Sequence, residues 1–397
     1  MFVLIERNSY SRIKTGLNGW KGIKNTMKSK ILNYIGRTLL VLGTVVAVAA
    51  VTLVLIINSF CDGTSPAAKK VFVTTILETG QLKFLASWFL SPEEIQEVVD
   101  SNSMKAFNDE VNTSLIVVEA NSNKSSGMTG QSFTGTGVVK ETEQNSETEE
   151  NKDIEIVEIA GRTFYATMMI VKDPSRVSLA TTYPWKEYGV PLDELVETSG
   201  AIAGINGGIY NSYNHAGGSP LGVVVSNGEI QMNDPQCLPG LVLIGLTEDD
   251  ILVVIDLSDK NKADVEKLVA EQKIRDAVTF QEESSDKNNH FVQLIINGKE
   301  RELNGMGSGL NPRTAIGQRA DGALLLLVTD GRGTSGHLGA SASDLIGIMS
   351  EYGAVNAANL DGGSSSCMYY DGEYLMSSVT FYYVNTSWKL PCGFVVK

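Results

Sequence analysis

The chain has 397 residues, a formal net charge of −14 at pH 7 and a hydrophobic content of 43%. This length exceeds the usual range of a single hydrophobic core, so we expect one large domain together with anchoring and linking segments. The four cysteines show no CxxC spacing and the chain has only three histidines, which argues against a structural zinc site.

A basic N-terminal tail precedes a long apolar run. Residues 1–37 contain eight Lys or Arg and one acid, Glu6. The segment Leu39–Ile57 is uncharged for 19 residues, which is long enough to cross about 30 Å of hydrocarbon. Basic clusters also bind nucleic acid, but the position of this one directly before an apolar run favours a role in membrane orientation. We therefore expect no nucleic-acid partner.

These features predict a single-pass membrane protein. We assign residues 1–37 to a cytoplasmic tail and residues 38–58 to a transmembrane signal-anchor helix, since positive charge stays on the cytoplasmic side of a membrane. The remainder of the chain is then extracellular. A cleaved signal peptide is the alternative, but its apolar part would be shorter and no A-x-A cleavage site follows this run.

Two segments are expected between the membrane helix and the main domain. Residues 59–120 are predicted to form a membrane-proximal helical stalk, because Ser91 and the proline and acids that follow it are typical of a helix N-terminus. Residues 121–152 are rich in Ser, Thr, Gly, Asn and Glu and predict a flexible linker, since they cannot offset their ordering entropy by burial. The main domain is then expected at 153–397.

Local signals predict several elements of this domain. Hairpin turns are expected at three Asx-Gly pairs, namely Asn227-Gly228, Asn297-Gly298 and Asp371-Gly372. Strands are expected at Ile154–Ile159 and Phe164–Val171, and helices at 192–199, 263–274 and 341–352.

Two aspartates follow apolar runs that predict buried strands. Leu324–Thr329 ends at Asp330, and Ala357–Leu360 leads into Asp361. The helix expected between them makes the two strands parallel, with a right-handed connection, so their carboxyl ends lie at one edge of a sheet. We expect neighbouring strands, about 4.8 Å apart, and therefore two carboxylates in one cleft. The predicted fold class is α+β, with a mixed β-sheet whose strand-helix-strand unit carries the site, plus the N-terminal transmembrane helix.

A third turn of the same kind lies upstream. There the apolar segment Ala201–Ile205 runs into Asn206-Gly207-Gly208. Glycine after a polar side chain lets a ligand approach the backbone closely and frees amide groups to face an anion.

Two arginines accompany these turns. Arg313 and Arg332 are natural phosphate clamps, because the planar donors of a guanidinium match two oxygens at once. The alternative is a buried ion pair with Asp330 or Asp361, and both interpretations could hold together.

Four motifs carry a resemblance to a known family. They are Asn206-Gly207-Gly208-Ile209-Tyr210, Pro312-Arg313-Thr314-Ala315-Ile316-Gly317, Asp330-Gly331-Arg332 and Asn359-Leu360-Asp361-Gly362-Gly363-Ser364-Ser365. In this order they resemble the signature of the phosphodiester glycosidase family, over about residues 153–397. The resemblance implies hydrolysis of a sugar 1-phosphodiester, of the N-acetylglucosamine-1-phosphodiester type, with a cell-surface glycan or exopolysaccharide as substrate.

The residue types suit that chemistry. Phosphate is already a good leaving group, so cations on it matter more than a strong general acid. A carboxylate must still stabilise the oxocarbenium-like transition state or activate water, and we assign this catalytic role to Asp361 first and Asp330 second. The substrate-binding and phosphate-binding candidates are Arg313, Arg332, Asn206, Gly207, Gly208, Thr314, His337, Asn359, Gly362, Gly363 and Ser364. His215 is a further candidate donor, and a surface-loop position is the alternative for both histidines.

Some alternatives stay open at this stage. Family members commonly carry an Arg just before their last strand, where this chain has Leu390–Phe394, so a non-catalytic module that binds glycan or sugar phosphate in polysaccharide assembly is the second hypothesis. The motifs demand no cofactor, but Asp330 and Asp361 could hold Ca²⁺ or Mg²⁺ through oxygen ligands. Cys367 and Cys392 could form a disulfide or remain two buried thiols.

Overall fold

The computed structural model describes residues 3–79, 82–107, 109–118, 153–213, 216–333, 336–379 and 385–397. These residues form two compact units, Met1–Thr64 and Ser65–Lys397. The predicted linker at 121–152 and the candidate donor His215 lie outside the described residues.

The first unit is built on one helix, α1 (Val3–Cys61). Its part from Lys30 to Cys61 is long and apolar enough to cross a membrane. Apolar side chains along this part are exposed, with 71% of Leu40 and 64% of Leu55 open to solvent. Such a surface is stable when lipid covers it, so α1 is a candidate membrane anchor, and it includes the predicted span at 38–58.

The second unit begins with three short helices, α2 (Pro66–Leu77), α3 (Phe84–Phe89) and α4 (Pro92–Asp100). The predicted N-terminus at Ser91 is confirmed. The Ser91 hydroxyl accepts from the Glu94 amide at 3.2 Å, and the Glu94 carboxylate accepts from the Ser91 amide at 2.9 Å, which completes a capping box.

These helices, which the sequence assigned to a membrane-proximal stalk, pack within the second unit. They belong to the same compact unit as the β-sheets that follow, and their apolar residues Val73, Leu77 and Ile95 are buried. Asn102, just after α4, donates to the carbonyl of Ser308 at 3.0 Å. The segment is helical as predicted, and it buries an apolar face within the second unit, a partner that periodicity alone could not assign.

The remaining helices are α5 (Leu192–Thr198), α6 (Lys262–Glu271) and α7 (Ala342–Glu351), which confirm the three predicted helices within a few residues. The first strands are β1 (Ile154–Ala160), β2 (Tyr165–Val171), β3 (Val177–Thr181), β4 (Ala203–Asn206), β5 (Tyr210–Asn211), β6 (Ser219–Pro220), β7 (Val223–Ser226), β8 (Glu229–Asn233), β9 (Leu241–Thr247) and β10 (Leu252–Asp256). The later strands are β11 (Ile274–Gln281), β12 (Glu283–Ser284), β13 (Asn289–His290), β14 (Gln293–Ile296), β15 (Lys299–Glu300), β16 (Thr314–Arg319), β17 (Leu324–Thr329), β18 (Ala354–Asn359), β19 (Met368–Tyr370), β20 (Glu373–Met376) and β21 (Cys392–Val396).

Three large sheets organise these strands. A seven-stranded sheet has the order β1-β2-β17-β16-β18-β14-β15, and two five-stranded sheets have the orders β20-β19-β4-β21-β3 and β10-β9-β11-β7-β8. The strand pairs β12-β13 and β5-β6 stand separately. The predicted hairpins are confirmed, since β7-β8, β14-β15 and β19-β20 are each joined at an expected Asx-Gly pair.

The strand-helix-strand unit differs from the prediction in one respect. β17 and β18 run in the same direction, with α7 between them in the chain, but β16 lies between them in the sheet and pairs antiparallel with both. Ala315 of β16 faces Leu327 on one side and Asn359 on the other. The ends of β17 and β18 are therefore two strand spacings apart, about 10 Å, rather than adjacent.

The seven-stranded sheet is buried on both faces. Leu324, Leu326 and Val328 point to a core shared with the other sheets, and Leu325 and Leu327 point to a second core that α7 covers. This double burial explains why β17 is a continuous apolar run rather than an alternating one.

Candidate active site

The candidate site lies at the edge of the seven-stranded sheet where β17 and β18 end and β16 begins. Asp330 follows β17, Asp361 lies two residues after β18, and Arg313 directly precedes β16. Because β16 is antiparallel to β17 and β18, the segment that precedes it lies at the same edge of the sheet at which those two strands end.

Asp361 is a half-buried carboxylate. Its Oδ1 accepts from the Gly362 amide at 3.0 Å, and Ser365 also bonds to the side chain. Desolvation raises the pKa of Asp361 to about 7, although Ser365, the Gly362 amide and the charge of Arg332 act in the opposite direction. A carboxyl group with this pKa exchanges a proton near neutral pH, as a general acid or base must.

Tyr210 and Ser365 stand beside Asp361. Their hydroxyls lie 2.9 Å apart, and burial and the charge of Asp361 raise the pKa of Tyr210 well above its usual value. Tyr210 belongs to the first family motif, but sequence reasoning gave neither hydroxyl a role. Cys367 and Cys392 are buried free thiols in this structure and do not form a disulfide.

Arg332 is an exposed side chain whose guanidinium lies against the Asp361 turn. Its Nη1 donates to Ser364 Oγ at 2.9 Å, and its Nε donates to Asn311 Oδ1 at 3.3 Å. A Cβ on Gly363 would lie 2.7 Å from Arg332 Nη2, and Gly363 has a φ of 64°. Glycine is therefore favoured there both by the close approach of the guanidinium and by the left-handed backbone. Desolvation and the nearby charge of Arg313 lower the pKa of Arg332.

Arg313 is buried and has a partner that the sequence did not predict. Its Nη2 forms an ion pair with Glu78, which follows α2, and also donates to Ser308 Oγ at 3.1 Å. The expected alternatives were a phosphate clamp or an ion pair with Asp330 or Asp361. The ion pair exists, but the carboxylate comes from the segment predicted as a stalk.

Asp330 is buried and both of its oxygens have partners. Oδ1 accepts from the Tyr165 amide at 2.6 Å and Oδ2 lies 2.6 Å from His337 Nδ1. Tyr165 begins β2, which borders β17 on the side opposite to β16, so this contact directs Asp330 away from the β18 end. The structure brings Asp330 to His337, and it brings Asp361 to Arg332.

Asn206 and Thr314 connect the turns to one another. Asn206 Nδ2 donates to the Asp361 carbonyl at 2.6 Å, and its Oδ1 accepts from Thr314 Oγ1 at 2.7 Å. Asn359 donates to the Phe291 carbonyl at 3.0 Å, while its Oδ1 is buried and has no hydrogen-bond partner among the described residues. Asn206 therefore holds the Asp361 turn in place rather than presenting its amide to a ligand.

The glycine amides also serve the turns themselves. The Gly362 amide donates to Asp361, and the Gly363 amide donates to the Pro312 carbonyl at 2.8 Å. Gly207 packs against Cys392, and Gly208 packs against the backbone of Thr279. The amides of Gly362 and Gly363 are therefore occupied within the turn, and Gly207 and Gly208 lie where the backbone packs closely against neighbours.

The sequence suggested that Asp330 and Asp361 could hold a divalent cation. In the ranges that the structure covers, no three His, Cys, Asp or Glu side chains come together as a metal-binding group. Asp330 and Asp361 have separate partners, so the residues at this edge do not form the shared Ca²⁺ or Mg²⁺ site considered from the sequence.

Several known proteins are similar to parts of this chain. The chain is 42% identical over 65 residues to the SPbeta prophage-derived uncharacterized protein YomE of Bacillus subtilis (strain 168), and this match spans 16% of the chain and 10% of that relative. Among solved structures, the zebrafish N-acetylglucosamine-1-phosphodiester alpha-N-acetylglucosaminidase catalytic domain, described as auto-inhibited by its pro-peptide, matches 61% of this chain and 81% of its own. Its identity is 18% and its TM-score 0.46.

A second solved structure, a hypothetical protein from Synechocystis, is 20% identical with a TM-score of 0.38, covering 62% of this chain and 61% of its own. The family model for phosphodiester glycosidase matches residues 199–397, a shorter range than the 153–397 expected from the motifs. That range is half of the chain and contains all four motifs. The chain therefore belongs to the phosphodiester glycosidase family.

Proposed function

We propose that residues 65–397 hydrolyse the glycosidic bond of a sugar 1-phosphodiester and release a free sugar and a phosphomonoester. The observation that carries this proposal is Asp361, a half-buried carboxylate whose pKa is raised to about 7 beside the exposed guanidinium of Arg332. A carboxylate that stabilises positive charge developing on the sugar and a guanidinium that stabilises negative charge on the departing phosphate would then lie side by side, as cleavage of a C1–O–P linkage requires.

Each residue has a defined role in this proposal. Asp361 in its ionised form stabilises the oxocarbenium-like transition state or removes a proton from the attacking water. Arg332 binds the departing phosphate through the donors that Ser364 and Asn311 leave unoccupied. His337, held through Nδ1 by buried Asp330, presents its other ring nitrogen as a proton donor to the phosphate oxygen.

Asp330 thus acts through His337 rather than as a second catalytic carboxylate. Both Asp330 oxygens are occupied, and it lies toward the β2 side of the edge. This role replaces the direct one that the sequence suggested, and Asp361 alone keeps the role of the reacting carboxylate.

The location of the catalytic unit and the identity of its substrate are proposed from the sequence. The basic tail before α1 supports an N-terminus in the cytoplasm and a catalytic unit outside the cell. An extracellular unit attached to a membrane would meet cell-surface glycan, and the family motifs support N-acetylglucosamine 1-phosphodiester as the linkage.

The test uses the full-length chain in detergent with a panel of sugar 1-phosphodiesters. Products followed by NMR give activity, sugar identity and anomeric configuration in one measurement. We expect free sugar and phosphomonoester from at least one diester, and none with Asp361→Asn. Free sugar at an unchanged rate with Asp361→Asn would contradict the role of Asp361.

A second function, binding without turnover, is favoured by one observation. The stretch Leu390–Phe394 has no Arg, and Arg313 is already neutralised by Glu78, so Arg332 is left as the exposed cation at the turn. Calorimetry with the same diesters separates the two functions, because binding without product supports the second.

A further inference from the structure

The contact between Glu78 and the candidate site joins distant parts of the chain. The Glu78 carboxylate is 2% exposed, and four donors surround it. Oε1 accepts from the Gly309 amide at 2.8 Å and from Asn289 Nδ2 at 3.0 Å. Oε2 accepts from Asn311 Nδ2 at 2.9 Å and from Arg313 Nη2. A buried carboxylate with this complete set of donors is held in one position.

Glu78 in turn fixes the plane of the Arg313 guanidinium. Arg313 Nε donates to the Ala340 carbonyl at 3.2 Å, and the guanidinium lies over the Phe291 ring at 4.9 Å. Nη1 has no hydrogen-bond partner among the described residues, and it is not among the buried unpartnered atoms. The contacts therefore occupy Nε and Nη2 and leave Nη1 as the donor that can meet a ligand.

The backbone before Arg313 is shaped to receive α2. A Cβ on Gly309 would lie 2.3 Å from the Thr75 amide nitrogen, so only glycine allows the helix to approach this closely. Thr75 Oγ1 accepts from the Leu310 amide at 2.9 Å, and the Thr75 carbonyl accepts from Asn311 Nδ2 at 3.3 Å. The end of α2 thus fixes the whole segment that leads into Arg313.

Asn311 carries the same constraint to the second arginine. Its Nδ2 donates to Glu78, and its Oδ1 accepts from Arg332 Nε at 3.3 Å. Removal of Glu78 would leave Arg313 buried without a counter-charge and would release Asn311, so both guanidinium groups would lose orientation.

We infer that Glu78 is a positioning residue for Arg313, and that the C-terminal end of α2 is therefore part of the phosphate-binding site. This inference rests on the proposed function, in which Arg332 binds the phosphate of a sugar 1-phosphodiester, and it adds Arg313 to the same site. Glu78 contacts no reacting atom. It fixes the guanidinium so that Nη1 of Arg313 and the donors of Arg332 meet one phosphate group from two sides.

The experiment compares full-length wild type with Glu78→Gln, which keeps the shape of the side chain and removes its charge. Asn102→Ala is the matched control, because Asn102 anchors the same segment through Thr74 and Ser308 at 3.1 and 3.0 Å without contacting the guanidinium. Binding of inorganic phosphate is measured by calorimetry. Labelling of Arg313 by phenylglyoxal, which reacts with accessible arginine, is measured by mass spectrometry of peptides.

In Glu78→Gln we expect phosphate affinity to fall about tenfold or more and labelling of Arg313 to rise by a similar factor. In Asn102→Ala we expect both to stay within about threefold of wild type. The inference is overturned if wild type binds no phosphate, if Glu78→Gln leaves affinity or labelling unchanged, or if Asn102→Ala causes the same changes. Wild type that binds phosphate but hydrolyses no diester would instead contradict the proposed function alone.

Discussion

The ends of β17 and β18 carry the same Asp-Gly sequence, but their surroundings differ. Asp330 is 4% exposed and has a donor on each oxygen, from Tyr165 and His337. Asp361 is half-buried, and desolvation raises its pKa to about 7. The first environment holds a carboxylate in place through two donors, whereas the second opposes ionisation of its carboxylate. A motif shared by two strand ends thus places one carboxylate where it is held by donors and the other where it can exchange a proton.

The largest effect is expected from Asp361→Asn. This change removes the ionisable group and keeps its shape, so we expect kcat for a sugar 1-phosphodiester to fall about 10⁴-fold with the fold intact. Hydrolysis followed by NMR and circular dichroism of the variant give the two measurements. Retention of more than a tenth of wild-type kcat would break the distinction between the two aspartates.

Loss of the exposed cation ranks second. Arg332→Ala removes the contacts to Ser364 and Asn311 and the charge beside Asp361, and we expect kcat/KM to fall about 10²-fold to 10³-fold. Arg332→Lys keeps the charge but not the planar donors, so its kcat/KM should lie between those of wild type and Arg332→Ala. Equal rates for the Lys variant and wild type would show that geometry is unimportant at this position.

Changes at the β17 end should have smaller and mutually dependent effects. We expect His337→Gln and Asp330→Asn each to lower kcat about 10²-fold, because both interrupt one proton donor. The double variant should be no slower than the slower single variant, since the two residues act as a unit. Additive losses in this double-mutant cycle would assign Asp330 a role independent of His337.

The pH dependence tests the two environments directly. The proposed reaction uses ionised Asp361, so we expect the acidic limb of kcat/KM to rise about tenfold per pH unit and to reach its midpoint near pH 7. Asp330→Asn should keep this midpoint. An inflection near pH 4 in wild type would show that burial does not hold Asp361 in its neutral form.

The smallest effect concerns stability. The pKa of Asp361 is raised above its ordinary 3.8, so the folded state binds a proton more tightly than the unfolded state. Stability from this group is therefore lost as pH rises from about 4 to about 7. Asp361→Asn should be more stable than wild type at pH 8, by up to about 4 kcal/mol, and nearly equally stable at pH 4. Urea unfolding at both pH values measures the difference.

Local signals in the sequence were sufficient for many elements. The helix starts at Ser91 and Ser341 follow from capping residues, and the turn at Asn227-Gly228 follows from its residue types. The run ending at Thr329 identified a buried strand. Each of these features is set by neighbours within a few positions, which a single sequence contains.

Features set by distant contacts were missed. β16 takes its place between β17 and β18 through pairing on both edges, which no pattern inside any one of these strands specifies. Glu78 and Arg313 are 235 positions apart, and Glu78 has no motif around it. The four motifs located the site edge, but the partners of its side chains depended on tertiary packing.

β21 has a consequence for the time at which the site can form. It lies between β3 and β4 in its sheet, and Gly393 pairs with Asn206, which holds the Asp361 turn. β3 and β4 are synthesised long before β21, so their shared position stays vacant until the C-terminal residues emerge. The turn that carries Asp361 thus lacks this support until β21 itself has been synthesised and has entered the sheet.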